Sequence, residues 1–285
     1  MNESATYSVL KAESWDDFKK IIEAFSENWV FRGQINGDWV LRNAIERTDF
    51  IHHYKGIEHV FVTEFQRGAR NYLNRNELPE HLIEWLALMQ HHGAPTRLLD
   101  FSKSPFISAY FAFEQCSTRI ETVAVWAINI HYIRNAAVKL LSPYFEEDFE
   151  QSNNHINENI FEKIFHSNEH SIIFPVEPFR MNRRYSLQQS IFVSTGNSYE
   201  TFMQQLNFLG KDAAKAVARI EIPTSEQKTA LRNLLKMNIH RASLFPDIDG
   251  YALSMKLKYD SMKTAEEALE QKIALLNDDS FKLLP

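Results

Sequence analysis

Apolar residues recur at helical spacing in some stretches of this chain and run without interruption in others. The first helical stretch predicts a helix over residues 15–25, with Ser14 as its N-cap. The same spacing predicts helices over 57–73 and 80–90. Short β-branched or continuously apolar runs predict strands at 29–33, 96–101, 122–130, 171–174, 189–194 and 217–222. Helices and strands are therefore interspersed along the chain.

Further helices are predicted downstream of the first strands. Ser104 and Pro105 form a cap followed by a proline at the first helical position, and the helix that they begin, over 106–114, is apolar nearly all round. Such a helix is typical of a buried position. Helices are also predicted over 225–236 and 260–276. The pattern favours an α+β fold, with a central mixed or antiparallel sheet of about five to seven short strands wrapped by helices.

The pattern also predicts how the chain is divided. We expect residues 1–28 to form an N-terminal helix packed on the core, 29–255 to form the main domain, and 256–285 to form a helical tail. Residues 131–170 mix acidic residues with Asn- and Ser-rich turns, which predicts an insertion or a flap.

Composition narrows the class of protein. The 285 residues are 44% hydrophobic and include 21 Phe, enough for one large core. The net charge is −6 and no run of five basic residues occurs, so a broad basic nucleic-acid-binding face is not expected. The eight glycines form neither a G-x-G-x-x-G nor a Walker A motif. A single cysteine, no signal peptide and no apolar run of membrane length predict a cytoplasmic protein without a membrane partner.

Arg32 stands between the apolar residues of a predicted strand and a glycine. Such an arginine either pairs with a carboxylate inside the fold or offers its guanidinium to a phosphate or carboxylate ligand. Alternation along 96–102 places Leu98, Asp100 and Ser102 on one face of the next strand. Asp100 therefore needs a partner, for which Arg32, Arg42 and Arg97 are candidates.

Two other polar clusters are open to simple interpretations. His91 and His92 are adjacent, so they cannot share one face of a helix or strand, and no metal site is predicted from them. Asp247 and Asp249 flank a turn, where capping of the next helix is the simplest role of Asp247.

Three segments of the sequence carry a resemblance to a known family. They are Phe31-Arg32-Gly33-Gln34, then 88–100 with the sequence LMQHHGAPTRLLD, then Ser104-Pro105 with the helix that follows. In these motifs, and in two later ones near 188–192 and 245–250, the chain resembles the FRG domain family over roughly residues 30–252. The resemblance implies a shared cleft lined by Arg32, Gly33, Gln34, Gln90, His91, Arg97, Asp100 and Gln189.

A second resemblance implies an activity. The order of Arg32-Gly33, Phe101-Ser102-Lys103-Ser104 and Glu221 is similar to that in ADP-ribosyltransferases of the Arg-Ser-Glu type. It implies that NAD is bound, that Arg32 holds its pyrophosphate, that Ser102 positions the ribose, and that Glu221 stabilises the positive charge that develops when nicotinamide leaves. Gln189 is the alternative residue for the late strand, and an uncharged side chain there favours binding without efficient transfer.

Three functions remain open from the sequence. The first is an NAD-dependent ADP-ribosyltransferase-like enzyme or NAD glycohydrolase, a toxin or phage-defence effector whose acceptor is a protein or a nucleic acid. The second is a non-catalytic ligand-sensing or protein-binding module that retains the cleft. The third, metal-dependent phosphodiester hydrolysis, requires Asp100, Asp247 and Asp249 to converge.

Overall fold

A computed structural model describes residues 7–48, 54, 56–117, 119–145, 156–180, 182–255 and 270. The strands are β1 (Ser8–Lys11), β2 (Trp29–Gln34), β3 (Leu98–Ser102), β4 (Thr122–Asn129), β5 (Ile173–Val176), β6 (Ser190–Thr195) and β7 (Val217–Pro223). The helices are α1 (Trp15–Ile22), α2 (Ile57–Ala69), α3 (Leu82–His91), α4 (Pro105–Phe113), α5 (Ile130–Leu141), α6 (Glu158–Ser167), α7 (Arg183–Leu187), α8 (Phe202–Leu206), α9 (Ala213–Ala216), α10 (Gln227–Lys236) and α11 (Arg241–Leu244).

The seven described strands form one sheet in the order β1-β7-β4-β2-β3-β6-β5. Only the β1–β7 pair at one edge is parallel among these strands, and the other neighbours are antiparallel. The predicted α+β fold with a mixed sheet is therefore confirmed. The sequence pattern did not predict β1, whose four residues alternate between partly buried and exposed positions at the sheet edge.

Two groups of helices cover one face of the sheet. Over β7, β4 and β2, helices α1, α4 and α10 bury Phe31, Val125 and Ile220. Over β3, β6 and β5, helices α2, α3 and α6 bury Leu98 and Phe192. We call this surface the cleft face, because polar side chains occupy its middle strands between the two helix groups.

The opposite face of the sheet is apolar throughout its central part. Val30, Trp126 and Leu99 pack there with residues of α5, α8 and α9. Registered neighbours share a face in a pleated sheet, so Leu99 and Phe101 lie on this face while Asp100 and Ser102 lie on the cleft face. The predicted alternation along this strand is confirmed.

The segment expected to be an insertion or a flap contains two helices with buried faces. Ala137 and Leu141 of α5, and Ile160 and Phe161 of α6, belong to the same buried cluster as Leu98. These helices therefore form part of the wall beside the cleft face. The predicted tail over 256–285 lies outside the described residues, apart from residue 270.

Gly33 determines how closely α4 approaches the sheet. A Cβ atom at this position would lie 1.9 Å from the carbonyl oxygen of Ser108 and 2.7 Å from the amide nitrogen of Ala112. Both atoms belong to the backbone of α4, so no side-chain rotation can make room. The glycine of the Phe31-Arg32-Gly33 motif thus allows the helix to pack directly against β2.

Within the part of the chain that the structure describes, every helix is too short or too polar to cross a membrane.

Candidate functional site

A cleft of about 440 Å³ opens on the cleft face between the two helix groups. Its size is within the range of sites that hold small organic ligands. The residues that line it come from β2, α3, β3, α4, α7, β6 and α11, with their neighbours: Phe31, Arg32, Gly33, Ile35, Gln90, His91, Asp100, Phe101, Ser102, Ser108, Phe111, Glu114, Gln115, Arg184, Tyr185, Gln188, Ser190, Arg241 and Phe245.

Arg32 joins β2 to β3 through its side chain. The two strands pair at Phe31 and Ser102, and the Arg32 guanidinium donates from Nη1 to the carbonyl oxygen of Asp100 at 2.7 Å. Its Nε is buried and has no hydrogen-bond partner. Burial lowers the pKa of Arg32, and the nearby carboxylate of Asp100 opposes that shift. The cation is therefore kept close to a carboxylate but retains an unused donor.

Gln90 holds the Asp100 carboxylate in place. Its amide nitrogen donates to Oδ2 of Asp100 at 2.5 Å, and its amide oxygen accepts from the hydroxyl of Thr96 at 2.6 Å. The side-chain partner of Asp100 is thus a glutamine, while Arg32 binds its backbone carbonyl. This arrangement fixes the orientation of a carboxylate that faces the cleft.

Ser102 lies at the end of β3 and is 5% exposed. Its hydroxyl donates to the carbonyl oxygen of Gln188 at 2.7 Å and accepts from the backbone N–H of Ser104 at 3.1 Å. The residue therefore ties the end of β3 to the segment before β6. The Gln188 side chain donates to the carbonyl oxygen of Leu244 at 3.1 Å, which fixes α11 at the same wall.

Two arginines flank one aromatic ring in the cleft. The guanidinium carbon of Arg184 lies 4.4 Å from the centre of the Phe245 ring, and that of Arg241 lies 4.5 Å from it. The Nε atoms of both arginines are buried without a partner. Arg241 forms an ion pair with Glu114 at 2.6 Å, whereas no ion pair within the described residues involves Arg184. Of the three arginines that line the cleft, Arg241 is therefore the one that an ion pair neutralises.

His91 and Tyr185 lie on the wall formed by α3 and α7. Burial lowers the pKa of His91, the positive charges of Arg184 and His92 lower it further, and Asp247 opposes them. Burial also raises the pKa of Tyr185, and the carboxylate of Asp100 adds to that shift. Both shifts favour the neutral side chains, so the arginines supply the positive charge of the cleft.

Glu221 lies outside the cleft. It is on β7, paired with Ala124 of β4, which is in turn paired with Gln34 of β2. This register places Glu221 on the face opposite the cleft face, where its carboxylate accepts a hydrogen bond from Arg219 at 2.5 Å. Arg32 and Ser102 both line the cleft, whereas Glu221 does not. By register Arg32, paired with Trp126, begins on the same sheet face as Glu221, but β2 and β3 pair at a single position and the Arg32 guanidinium reaches Asp100 of the neighbouring strand.

Arg97 also lies away from the cleft. It is completely buried, and its Nε donates to the Glu58 carboxylate at 2.7 Å. Its other nitrogens donate to the carbonyl oxygen of Gly196 and to the side chain of Asn168. All these contacts connect α2, α6 and the end of β6, so this arginine stabilises the packing of one helix group.

Two predicted glutamines do not line the cleft. Gln34 faces the opposite side of the sheet, where it accepts from the Trp126 indole and donates to the carbonyl oxygen of Val40. Gln189 is exposed and adopts a positive φ of 50°, which turns its side chain away and leaves Gln188 at the wall. The polar residue that faces the cleft before β6 is thus one position earlier than expected.

The acidic residues near 247 do not converge with Asp100. Asp247 accepts a hydrogen bond from the backbone N–H of Gly250 at 2.6 Å, which is the predicted cap of the helical residues 248–255. Neither Asp247 nor Asp249 lines the cleft. Over the described ranges, the structure has no group of three or more His, Cys, Asp or Glu side chains placed to hold a metal ion.

The site residues predicted from the sequence did not include Glu114, Arg184, Tyr185, Gln188, Arg241 and Phe245, although Gln188 and Phe245 belong to the two later motifs of the family resemblance. Part of the signal was present, because Ser108 and Phe111 of α4, and Gln115 just after it, follow helical spacing and line the cleft. Arg184 follows Asn182, which caps the five-residue helix α7. Helices as short as α7 and α11 show no hydrophobic periodicity. The sequence therefore did not indicate that the side chains of Arg184 and Arg241 belong to the cleft.

One comparison with known proteins identifies a family. A family model described as the FRG domain matches residues 27–120. Comparison with curated proteins and with solved structures gave no match. The matched segment supplies β2, α3, β3 and α4, which carry Arg32, Gly33, Gln90, Asp100 and Ser102 to the cleft. Residues 27–120 are thus identified as an FRG domain.

Proposed function

We propose that the cleft binds a phosphorylated nucleotide, with NAD as the dinucleotide that it accepts. One observation carries the proposal: Arg32, Arg184 and Arg241 line the same cleft, and no ion pair within the described residues neutralises Arg32 or Arg184. An arginine matches a phosphate with two parallel hydrogen bonds. An anionic ligand would bind these guanidinium groups.

The charge of the cleft supports an anion rather than a neutral ligand. Its lining has three arginines against the carboxylates of Asp100 and Glu114. This excess of positive charge lies in a chain whose net charge is −6, so it is local to the cleft. A local positive field inside a concave site raises the concentration of anions there.

The remaining lining suits the other parts of a nucleotide. Phe31, Phe111 and Phe245 offer aromatic rings, which can stack on a planar base or nicotinamide ring. Gln188 and Ser102 offer polar groups for hydroxyls of a ribose. A volume of about 440 Å³ is large enough for a substantial part of such a ligand.

A second function, cleavage of NAD at its nicotinamide–ribose bond, is favoured by the position of Asp100. The bond from the ribose carbon to nicotinamide breaks, nicotinamide leaves with the bonding electron pair, and water or an acceptor attacks the ribose carbon and loses a proton. A carboxylate near that carbon stabilises its positive charge. Asp100 faces the cleft and is held by Gln90, whereas Glu221 is on the other face.

The binding proposal is tested with two adjacent arginines. Arg184 lines the cleft, while Arg183, the preceding residue of α7, is exposed and outside it. Calorimetric titration with NAD and with ADP-ribose should show that Arg184→Gln weakens binding at least about tenfold, the loss expected for a hydrogen bond to a charged group. Arg183→Gln removes the same charge and should bind like the unsubstituted protein. Failure of the unsubstituted protein to bind either ligand would refute the proposal.

The same samples separate binding from turnover. Release of nicotinamide from NAD, followed by chromatography, should be lost in Asp100→Asn, which keeps an oxygen for the Gln90 amide, and should persist in Glu221→Gln. Melting temperatures close to that of the unsubstituted protein check that the variants are folded. Binding of NAD without any nicotinamide release would leave the ligand-sensing module as the function and would remove cleavage.

A further inference from the structure

The anion site contains a carboxylate from the chain itself. Glu114 directly follows α4, and its Oε1 accepts from Nη1 of Arg241 at 2.6 Å and from the hydroxyl of Tyr110 at 2.8 Å. The Glu114 side chain is 10% exposed and that of Arg241 is 18% exposed. Both residues line the cleft. A negative group thus already stands in front of one of its three arginines.

This ion pair uses only part of the guanidinium. Glu114 contacts one terminal nitrogen of Arg241, while Nε of Arg241 stays buried without a partner. A fork with two parallel hydrogen bonds is the stronger arrangement for an arginine with a carboxylate or phosphate. The contact therefore neutralises the charge of Arg241 but leaves its Nε–H donor without an acceptor among the described residues.

Other contacts hold the two members of the pair. Phe245 supports Arg241, since the guanidinium carbon lies 4.5 Å from the ring centre. Tyr110, which is 1% exposed, donates its hydroxyl to the same oxygen of Glu114. Arg241 can therefore keep its place when the carboxylate moves or is neutralised.

We infer that Glu114 is a resident counter-ion that competes with the anionic ligand for Arg241 and so lowers the affinity of the cleft. This inference rests on the proposed binding of a phosphorylated ligand. When the ligand binds, one of its anionic groups takes the place of the carboxylate on Arg241. Arg184, which has no ion pair within the described residues, offers its guanidinium without such competition.

The opposite role for Glu114 makes the opposite prediction. If the carboxylate were needed to position Arg241, its removal would weaken binding. If it competes, its removal strengthens binding, because a like charge close to the incoming anion is lost. The direction of the change in affinity therefore decides between the two roles.

The test is a calorimetric titration of the full chain with ADP-ribose. Glu114→Gln keeps an oxygen for the Tyr110 hydroxyl and should bind about tenfold more tightly, as removal of one repulsive charge at short range predicts. Glu221→Gln is the matched control, because Glu221 forms a similar partly buried pair with Arg219, 16% and 15% exposed, outside the cleft. Its affinity should equal that of the unsubstituted protein.

A double-substituted chain tests whether the effect acts through Arg241. The gain from Glu114→Gln should disappear when Arg241→Gln is already present, since no guanidinium is left to compete for. Equal or weaker binding by Glu114→Gln, with binding by the unsubstituted protein intact, overturns the inference alone. If neither chain binds ADP-ribose or NAD, the proposed function itself fails. Glu114→Ala gives the same comparison if the glutamine variant does not fold.

Discussion

A buried carboxyl group that does not line the cleft should make stability depend on pH. Glu46 lies in a short 3₁₀ helix and is 7% exposed. Its Oε1 accepts from the backbone N–H of Phe202 at 2.7 Å, while Oε2 is buried without a partner. Burial raises the pKa of Glu46 from 4.5 to about 7, although the N–H groups and the charges of Arg42 and Arg47 oppose the shift.

The sign of the effect follows from which state binds the proton more tightly. The folded state holds the Glu46 proton up to about pH 7, whereas the unfolded chain releases it near pH 4.5. The contribution of this group to stability is therefore complete below pH 4.5 and is lost as the pH rises to about 7. A pKa change of this size corresponds to about 3 kcal/mol, most of it between about pH 5 and about pH 8.

Glu46→Gln removes this titration and keeps an oxygen for the Phe202 N–H. Urea unfolding should find the variant and the unsubstituted protein similar in stability at about pH 5, and the variant more stable by about 2–3 kcal/mol at about pH 8. Glu64→Gln, which alters an exposed carboxyl group, controls for the loss of charge and should show no such change. An advantage of Glu46→Gln that is the same at both pH values would refute the reasoning.

Two further substitutions test how the two helix groups pack on the sheet. Gly33→Ala should lower the free energy of unfolding by at least about 3 kcal/mol, because the new Cβ would lie 1.9 Å from the Ser108 carbonyl oxygen. Gly68→Ala, in a helix and with no atom within 4 Å of the new Cβ, should not destabilise the protein, and an equal loss in both would contradict the close-approach argument. Glu58→Gln should cost about 3–5 kcal/mol in denaturant unfolding, because the buried Arg97 loses its counter-ion, and a loss under about 1 kcal/mol would show that the pair is not stabilising.

The sheet was the most predictable part of the fold. Continuous apolar runs located β2, β3, β4, β6 and β7, because strands buried on both faces contain few polar residues. The sequence did not predict β1, because the hydrophobic pattern of a four-residue edge strand with exposed alternate positions resembles that of a loop. The sequence did not predict the helices α5 and α6, because residues 131–170 mix apolar positions with the acidic, Asn and Ser residues that are typical of an insertion.

The candidate site was predictable only where its residues are close in sequence. Alternation along β3 correctly placed Asp100 and Ser102 on one face, and Gln90 and His91 come from the adjoining helix. Glu221 was selected from the order of residues along the chain, which carries no information about the register of β7. One position along that strand would have changed its face.

Arg32 and Arg97 illustrate what sequence could not decide. Each follows an apolar or turn segment at a strand, and each was a candidate for the same cleft. Glu58, from a helix that is distant in sequence, neutralises Arg97 inside one helix group. Arg32 instead donates to a backbone carbonyl, and its Nε stays buried without a partner among the described residues. A buried arginine that a carboxylate satisfies stabilises the fold, whereas one that is left incompletely bonded favours a ligand. That distinction depends on a partner supplied by tertiary contacts, so no local pattern in the sequence contains it.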